Sequence, residues 1–174
     1  KSTLAPALLR DTLHIPEYVN AGTIAEGLSA FAPEDASFDA GRVMLSRLHD
    51  LAAERKSFAF ETTLATRSYA KWLCDIKASS DYRVSLIFLW LRDVELAIAR
   101  VAARVALGGH SIPEETIRRR FERSRRNFFD LYLPIADSWQ LYNAGTEPAS
   151  EIARFDGVDG QVIVDEMLWN QIRK

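Results

Sequence analysis

The segment 82–91, with the sequence YRVSLIFLWL, limits the possible folds more than any other feature of this chain, since it contains the longest apolar run, Val84 to Leu91, which only Ser85 interrupts. The run lacks the alternation of apolar and polar residues that is typical of a strand with one solvated face, so it predicts a central strand covered on both faces. Short β-rich runs alternate with helix patterns along the chain, which is typical of α/β proteins. The sequence therefore predicts an α/β fold with a mainly parallel sheet that helices cover on both faces.

The remaining elements follow from periodicity and from turn residues. Apolar side chains at Val43, Leu45, Leu48 and Leu51 have the three-and-four spacing of a helix with one buried face. By the same criteria we expect five further strands, at 15–20, 57–61, 138–143, 151–155 and 161–164. We expect helices at 1–9, 23–28, 39–56, 68–78, 93–107, 114–132 and 165–172. The segments 31–38 and 108–113 are expected to be loops. No repeat or linker divides the chain, so we expect residues 1–174 to form a single domain.

Composition excludes several classes of protein. The chain has 174 residues, of which 48% are hydrophobic, and its net charge of -2 provides no overall attraction to nucleic acid or to an acidic membrane. No apolar run reaches the length of a membrane span, and the N-terminal residues lack a signal-peptide pattern. The single cysteine, Cys74, forms no internal disulfide and is expected in the core. We therefore expect a cytoplasmic protein.

The ends of the predicted strands are the first place to look for a site. In open α/β sheets the ligand binds beyond the carboxyl ends of the strands. This rule selects residues 20–22, 61–63 and 91–93 as candidate site loops.

The loop Glu61-Thr62-Thr63 provides an acid and two hydroxyls. Such groups can hold a metal-bound water or hydrogen-bond the hydroxyls of a sugar. The alternative is structural, because Thr63 or Thr66 is also suited to cap the helix that follows.

The residues Lys1-Ser2-Thr3 match the last part of a phosphate-binding P-loop, whose pattern is G-x-x-x-x-G-K-[ST]. In such a loop the lysine reaches the outer phosphates and the hydroxyl binds Mg²⁺. A Lys-Ser pair is a weak signal by itself, and a solvated N-terminus is the alternative. The P-loop interpretation gains support because the Lys-Ser pair stands at the start of a predicted helix in a chain with a parallel α/β pattern.

An arginine-rich region surrounds the Gly108-Gly109 pair. Arg100 and Arg104 share one helix face before it. The predicted helix after it carries Arg118, Arg119, Arg120, Arg123, Arg125 and Arg126. Two arginine-bearing helices joined by a glycine turn suggest a lid that closes over phosphates. A solvated face paired with glutamates is the main alternative, and a nucleic-acid patch is less favoured because aromatic residues do not share the basic face.

Taken together, these motifs resemble the zeta-toxin family of P-loop kinases. The resemblance rests on SFAFETTL and on RVAARVALGGHSIPE, with KSTLA, EYVNAGTIAEGL, YRVSLIFLWL and LYLPIADSWQLYNAG in family order. These segments cover nearly the whole chain. The resemblance implies a P-loop kinase-like fold with a helical lid, and a kinase that uses ATP and Mg²⁺.

The resemblance also implies roles for individual residues. Nucleotide would be bound by Lys1, Ser2, Thr3, Arg100 and Arg104, with Ser2 also on the metal, and Arg119 or Arg120 would complete the lid. Acceptor would be bound by Asn20, Glu61, Thr62, Thr63 and Arg67. Toxin members of the family phosphorylate a sugar hydroxyl of UDP-N-acetylglucosamine and are neutralised by an antitoxin protein, so both are expected partners.

The chain departs from the family pattern in three respects. Gly22 stands where the family's V-N-A-D motif has an aspartate that serves as base for the acceptor hydroxyl, and Ala106 stands where a basic residue is common. The strand and the glycine-rich part of the P-loop are expected before Lys1. We therefore expect a kinase with impaired transfer. The alternatives are a nucleotide-binding or partner-binding module without transfer chemistry and, less favoured, an RNA-binding domain.

Overall fold

The computed structural model describes residues 15–29, 35–109 and 111–174. The chain divides into two compact units, one made of Lys1–Thr62 and Leu107–Ser111 and the other of Thr63–Ala106 and Ile112–Lys174. The expected helix turn at 1–9 lies outside the described residues, and the single-domain organisation stays a prediction.

Residues 15–29 and 35–62 of the first unit form a parallel pair of short strands and two helices. Its elements are β1 (Glu17–Val19), α1 (Ala21–Leu28), α2 (Ser37–Ala53) and β2 (Phe58–Phe60). β1 and β2 pair in parallel, with Val19 opposite Phe60. The two strands therefore end at the same edge, where their following residues come together.

Helix α2 supplies most of the buried side chains in the described part of this unit. Ala40, Met44, Leu48 and Leu51 recur at helical spacing and are buried. Val43 and Leu45 were expected on this face and are exposed instead. The prediction was wrong for these two residues because Ala40 and Met44 set the buried stripe on an adjoining face.

The start of α2 also differs from the expectation. Residues 35–38 belong to the predicted loop 31–38, yet the helix begins at Ser37 and includes Phe38, whose side chain is 76% exposed. A large apolar side chain in a solvated first turn gives no periodic signal, so the pattern could not place this helix start.

The second unit contains a four-stranded sheet and four α-helices. The helices are α3 (Ser68–Ser79), α4 (Val94–Ala106), α5 (Glu114–Asn127) and α6 (Glu166–Ile172). The strands are β3 (Ser85–Trp90), β4 (Ser138–Asn143), β5 (Ser150–Phe155) and β6 (Gln161–Ile163), in the order β3-β4-β5-β6. β3 pairs in parallel with β4, and β5 and β6 are added antiparallel. The predicted α/β fold with parallel pairing is confirmed.

Strand β3 corresponds to the apolar run on which the fold prediction rested. It stands at one end of this four-stranded sheet, Trp90 is buried, and the four residues from Leu86 to Leu89 are only half-buried. The expectation of full burial on both faces is thus met in part. An apolar run in the sequence predicts that a strand forms and that it is largely buried. The position of that strand within the sheet depends on which distant residues pair with it, and the run does not show this.

Aromatic rings form the centre of the second unit. Phe128 is fully buried and stacks on Phe88 with ring centroids 4.5 Å apart. Trp139 and Trp169 are stacked at 5.8 Å with nearly parallel rings. These contacts hold α5 and α6 against the sheet, since Phe128 follows α5 and Trp169 lies in α6. Each such ring pair stabilises the fold by about 0.5–1.5 kcal/mol, in addition to the stabilisation that comes from burying the apolar surface of the rings.

The helix predicted at 114–132 changes type near its end. Its α-helical part stops at Asn127, residues Phe128–Tyr132 form a turn of π-helix, and Leu133–Ile135 form a turn of 3₁₀-helix. A π-turn places one extra residue in the turn and is often found at functional sites. We refer to residues 128–132 as the π-turn below.

Two further findings concern single features of the described residues. Cys74, expected in the core, is exposed on α3, whose buried residues are Ala70 and Leu73. Within the described parts of the chain, none of the helices is both long and apolar enough to cross a membrane.

A carboxylate network joins the beginnings of β3 and β4. Asp137 accepts a hydrogen bond from the Lys77 ammonium at 2.8 Å and another from the Val84 N–H at 2.7 Å. Its own N–H donates to the Val84 carbonyl at 2.8 Å. Burial alone would raise the pKa of Asp137, but the Lys77 and Val84 hydrogen bonds outweigh it and lower that pKa below the ordinary value.

This network predicts part of the acid sensitivity of the fold. Because the pKa of Asp137 is depressed in the folded state, its contribution is complete above the unfolded-state pKa and is lost as the pH falls through the folded-state value. We expect Asp137→Asn to lower the melting temperature at pH 7 and to flatten its decline between about pH 5 and pH 2. Asp81→Asn, a change at an exposed carboxylate, should leave that decline unchanged. A wild-type decline in the Asp137 variant would contradict the role of this network.

Candidate functional site

Two predicted site loops meet at the carboxyl ends of β1 and β2. Asn20 follows β1 and Glu61 follows β2, and the parallel register of the strands brings them to one edge. The backbone N–H of Glu61 donates to the Val19 carbonyl at 3.0 Å, which extends the pairing by one step. This is the edge at which α/β proteins bind ligands.

Glu61 is held by two side-chain donors. Its Oε2 accepts from the Tyr18 hydroxyl at 2.8 Å and from Asn20 Nδ2 at 2.9 Å. Burial raises the pKa of the Tyr18 phenol, Glu61 raises it further, and the hydrogen bond from Asn20 acts in the opposite direction. Tyr18 therefore remains a protonated donor at neutral pH and holds one carboxylate oxygen in place.

Asn20 has a second, structural role. It is the N-cap of α1, and its Oδ1 accepts from the Gly22 N–H at 2.7 Å and from the Thr23 N–H at 3.3 Å. Its Nδ2 points to Glu61. The amide orientation is thus defined, because a flipped amide would place NH₂ against N–H donors and oxygen against a carboxylate. One side chain fixes both the helix start and the carboxylate.

Gly22 occupies the second position of α1, next to this cluster. A Cβ added at Gly22 would lie 3.0 Å from Asn20 Oδ1, a tight contact that requires the amide to shift by a few tenths of an ångström. The position therefore adjoins the Asn20 amide, and a side chain there would enter the surroundings of the cluster. The expectation that Gly22 replaces a catalytic aspartate remains a prediction.

The two threonines after Glu61 do not cap the next helix. Thr62 is half-buried, and Thr63 Oγ1 accepts from the Ala65 N–H at 3.4 Å. The N-cap of α3 is Arg67, which has no side-chain capping hydrogen bond, and Thr66 Oγ1 lies 2.9 Å from the Ser68 hydroxyl. The capping alternative is therefore wrong for Thr63, whereas Thr66 Oγ1 accepts a long hydrogen bond of 3.4 Å from the N–H of Ser68, the first residue of α3. The role of Thr63 in acceptor binding stays a prediction.

In the third predicted site loop, residues 91–93, the polar side chain of Asp93 has a local structural role. Asp93 Oδ1 accepts from the Glu95 N–H at 2.9 Å at the start of α4. This is the arrangement of a helix N-cap, so the polar residue at this strand end is accounted for within its own element.

The arginines expected to form the lid lie on α4 and α5. The Arg100 guanidinium donates to the Ala144 carbonyl, and Arg104 is exposed. Arg119 has a long hydrogen bond of 3.5 Å to the Thr116 hydroxyl. Arg120 is exposed, and its guanidinium has no partner among residues 15–29, 35–109 and 111–174.

Arg118 is different from its neighbours. It pairs with Glu95 at 2.6 Å and with Glu114 at 2.7 Å, and these hydrogen bonds raise its pKa. Arg118 links α4 to α5, so it fits the alternative of a solvated face paired with glutamates.

Gly108, before α5, has φ of +88°, a conformation that glycine adopts without strain.

Sequence reasoning missed a pocket in the second unit. The pocket, called the Arg67 pocket here, has a volume of about 600 Å³, and its lining includes Thr66, Arg67, Arg123, Arg126, Asn127 and Asp130. Spacing placed Arg123 and Arg126 on one face with Arg119, but it did not reveal that Arg67 joins them. That contact depends on how the loop before α3 packs on the π-turn.

Some predicted residues cannot be compared with the structure. Lys1, Ser2 and Thr3, expected to bind nucleotide and metal, lie outside the described residues, as does His110. In the described parts of the chain, no group of three His, Cys, Asp or Glu side chains is arranged to hold a metal ion.

The parallel strand pairs place this chain in the α/β class of proteins, in which ligands bind beyond the carboxyl ends of the strands. Comparison with known proteins defines its family. Residues 15–138 match the family model described as zeta toxin. A protein from Haemophilus influenzae, described as uncharacterized, is 31% identical over 121 residues, which are 70% of this chain and 84% of that relative. No solved structure matches the chain significantly.

The chain belongs to the zeta-toxin family. Membership in this family indicates the general type of function, which is P-loop nucleotide binding of the kinase-like kind.

The Asn20–Glu61 contact yields a stability test. Asn20→Asp keeps an oxygen for capping α1 but places a second carboxylate where Nδ2 now lies 2.9 Å from Glu61. We expect a loss of about 1.5–3 kcal/mol at pH 7, the usual value of a hydrogen bond to a charged group. Two adjacent carboxylates raise their pKa in the folded state, so the loss should shrink as the pH is lowered and one of them takes up a proton.

The matched control for this test is Asn143→Asp. Asn143 Oδ1 also accepts a loop N–H, from Gly145 at 2.9 Å, and it is bonded to no carboxylate within the described residues. Denaturant unfolding at several pH values measures both variants. A pH-independent loss in Asn20→Asp, equal to that of the control, would show that Glu61 does not face Asn20 in solution.

Proposed function

We propose that this protein is an ATP-dependent phosphotransferase that acts on a hydroxyl of a small acceptor, with UDP-N-acetylglucosamine as the first candidate. Family membership supports the kinase-like, nucleotide-binding part of this proposal. The observation that carries the acceptor part is the anchored Glu61 carboxylate beyond the carboxyl ends of β1 and β2. The family resemblance adds an antitoxin protein as a proposed partner.

Glu61 is arranged to receive an acceptor hydroxyl. Both donors, Tyr18 and Asn20, bind the same oxygen, Oε2. Among the described residues, Oε1 has no hydrogen-bond partner, so it is available to accept a hydrogen bond from a ligand. An anchored carboxylate with one available oxygen positions a hydroxyl and can take its proton, which is the task of a general base.

The proposed reaction balances with ATP as the donor. The acceptor oxygen forms a bond to the γ-phosphorus, the bond from that phosphorus to the β–γ bridging oxygen breaks, and ADP leaves. The hydroxyl proton passes to a base at the site. By resemblance, Lys1 and Thr3 would hold the phosphates and Ser2 the Mg²⁺, which supplies neutralising charge when bound.

The lid part of the proposal concerns four arginines. Arg100, Arg104, Arg119 and Arg120 would bind phosphate oxygens, for which planar guanidinium groups are suited. Arg118 is less suited, because Glu95 and Glu114 already neutralise it. Arg119 and Arg120 are exposed on the same helix and have at most one long contact within the described residues.

The rate of transfer depends on which group acts as base. Gly22 offers neither a charge nor a proton acceptor, so either Glu61 performs this task or transfer is slow. A nucleotide-binding module without transfer chemistry is the second candidate, and the glycine at this position is the observation in its favour. Substitutions at the two positions separate these cases.

The first test replaces the anchored carboxylate. Glu61→Gln keeps the size of the side chain but removes its charge. We expect turnover of UDP-N-acetylglucosamine to fall by about a hundredfold to ten-thousandfold, the usual contribution of a positioned base. Affinity for ATP should not change, since Glu61 is not among its expected ligands. The full-length protein is assayed with ATP and Mg²⁺, and the phosphorylated sugar is measured. The matched control is Glu26→Gln, at an exposed carboxylate on α1.

If both glutamate variants retain wild-type turnover, Glu61 has no part in catalysis. If neither the wild type nor the variants form product with this sugar while ATP binds tightly, UDP-N-acetylglucosamine is not the acceptor.

The second test adds the carboxylate that the family motif has. Gly22→Asp is expected to raise turnover by roughly two orders of magnitude if the position is that of the base. Gly22→Ala is the control, because it adds the same Cβ near Asn20 Oδ1 without a carboxylate. Equal turnover in the wild type and Gly22→Asp would show that this position is not the base.

A further inference from the structure

The outer side of β6 is not paired with another strand among the described residues. The four-stranded sheet has the order β3-β4-β5-β6, so β6 (Gln161–Ile163) stands at its end. β6 pairs antiparallel with β5, and the Val164 N–H donates to the Ile152 carbonyl at 2.9 Å. Because the backbone groups of an antiparallel strand point alternately to its two sides, those of Gln161 and Ile163 point away from β5. They are therefore placed to pair with an additional strand.

Apolar side chains cover residues 158–167, which are called the β6 edge here. Val162 and Ile163 are each 38% exposed, and Val164 is 54% exposed. Exposure reaches 85% for Val158, in the turn between β5 and β6, and 79% for Met167, in the first turn of α6. Successive side chains of a strand point to opposite faces of the sheet, so both faces are apolar here. Exposed apolar groups that cluster beside an unpaired strand mark an interaction surface.

A protected edge strand has a different composition. Natural proteins shield a free edge with lysine, proline or an inward-pointing charge within the strand. Residues 162–164 are Val-Ile-Val instead, and the charged residues stand on either side of them. The shortness of β6 limits the number of hydrogen bonds that it offers, but its residues contain no group that opposes pairing.

The β6 edge and the residues around it carry negative charge. Between Phe155 and Ile172 the chain has no lysine and no arginine. The same segment has four carboxylates, namely Asp156, Asp159, Asp165 and Glu166. Within the part of the chain that the structure describes, none of the four forms a salt bridge. Their charge is therefore available to a partner.

Two of these carboxylates are held by backbone N–H groups, one before β6 and one after it. Asp156 Oδ1 accepts from the Val158 and Asp159 N–H groups at 2.9 Å each, and these bonds lower the pKa of Asp156. Asp165 Oδ1 accepts from the Leu168 N–H at 2.9 Å and caps α6. A chain that lies along β6 thus meets a fixed carboxylate near each end of the strand.

Arginines on the neighbouring strands are engaged with other groups. Arg154 of β5 pairs with Glu151 at 3.0 Å. The guanidinium of Arg83 lies near Gly157, and its charge helps to lower the pKa of Asp137. Neither arginine forms a salt bridge with a carboxylate of residues 156–166 in the described parts of the chain. The β6 edge therefore combines an apolar strand with acidic ends.

We propose that the β6 edge binds an extended segment of another protein, which adds a strand to the sheet and has apolar residues between lysines or arginines. Main-chain hydrogen bonds to Gln161 and Ile163 hold this segment, and its apolar side chains cover those of residues 162–164. Its basic groups meet the acidic residues at both ends, which favours this partner over others. β6 follows residue 138, where the match to the family model ends. The inference adds a partner site to the proposed function and does not depend on it.

A second copy of this chain fits the edge less well. Two β6 strands that use both outward-facing residues pair antiparallel, with Gln161 of one copy opposite Ile163 of the other. The same register brings Asp159 of one copy level with Asp165 of the other, at each end of the pair. Like charges directly opposite each other destabilise strand pairing. Nucleic acids and anionic membranes are disfavoured for the same reason, since both are negatively charged.

A synthetic peptide tests the inference in the full-length protein. The probe has valine, threonine and valine at its centre and two lysines at each end, and its binding is measured by titration calorimetry. We expect it to bind, and to bind more weakly as the salt concentration rises.

Three matched peptides each change one property of the probe. Glutamates replace the lysines in the first, serines replace the valines in the second, and methyl groups replace the backbone amide hydrogens of the centre in the third. Each change should weaken binding about tenfold or more, because it removes the charge complementarity, the apolar contact or the hydrogen bonds. The protein is the same in every titration, so a loss of folding cannot explain a difference.

Amide hydrogen exchange distinguishes strand addition from attraction between charges. In the free protein the outward-facing N–H of Ile163 should exchange faster than the Val164 N–H, which is bonded to Ile152. The lysine peptide at saturation should slow the exchange of Ile163 by about tenfold or more and change that of Val164 little. Binding without slower exchange at Ile163, or equal binding of the methylated peptide, would overturn the proposal.

Charge reversal on the protein locates the site. Asp159→Lys and Glu166→Lys change exposed carboxylates on either side of β6 and should each weaken binding of the lysine peptide about threefold or more at low salt. Asp81→Lys reverses an exposed carboxylate elsewhere in the second unit and should have no effect. An equal loss in all three variants would show that only net charge matters and would overturn the proposal. A dimer in sedimentation, with Ile163 protected in the absence of peptide, would also overturn it, because a second copy would then occupy the edge.

Discussion

The side-chain amide of Asn20 is the contact on which the candidate site depends. Its oxygen caps α1 and its nitrogen binds Glu61, so the helix start, the end of β1 and the carboxylate after β2 are joined through one group. The parallel register of β1 and β2 brings these residues within reach, and the amide then fixes their distance. Catalytic and binding groups gain from such restraint, because a carboxylate that is already oriented loses little freedom when a ligand arrives.

The second unit uses the same kind of device. There the buried Asn127 amide binds a loop carbonyl, and Tyr132 binds the carbonyl two residues further on. In both units a polar side chain within the packed structure restrains a short segment that follows or precedes a regular element. The charged groups that could meet a ligand, Glu61 and Arg67, lie at the ends of those segments. The interior determines their positions, and they need no salt bridge to hold them there.

Sequence patterns predicted the parts of this structure that depend on local chemistry. The α/β class, most strands and helices, and the polar strand ends at Asn20 and Glu61 follow from periodicity and composition. The failures share a cause. The burial of β3, the exposure of Cys74, the π-turn, and the meeting of Arg67 with Arg123 and Arg126 all depend on contacts between distant residues. Spacing shows which arginines share a helix face, but only packing shows that Arg118 is neutralised by Glu95 while Arg126 lines a pocket.

The glycine at position 22 has a structural consequence that bears on catalysis. A Cβ there would lie 3.0 Å from Asn20 Oδ1, which already accepts the Gly22 and Thr23 N–H groups. An aspartate at this position would bring its own oxygens close to the same N–H donors, and the Asn20 amide would have to move. Because that amide also holds Glu61, a base at position 22 and the present anchoring of Glu61 are coupled through Asn20. The tight cap and the anchored Glu61 are therefore two parts of one arrangement, which leaves the second oxygen of Glu61 without a partner among the described residues.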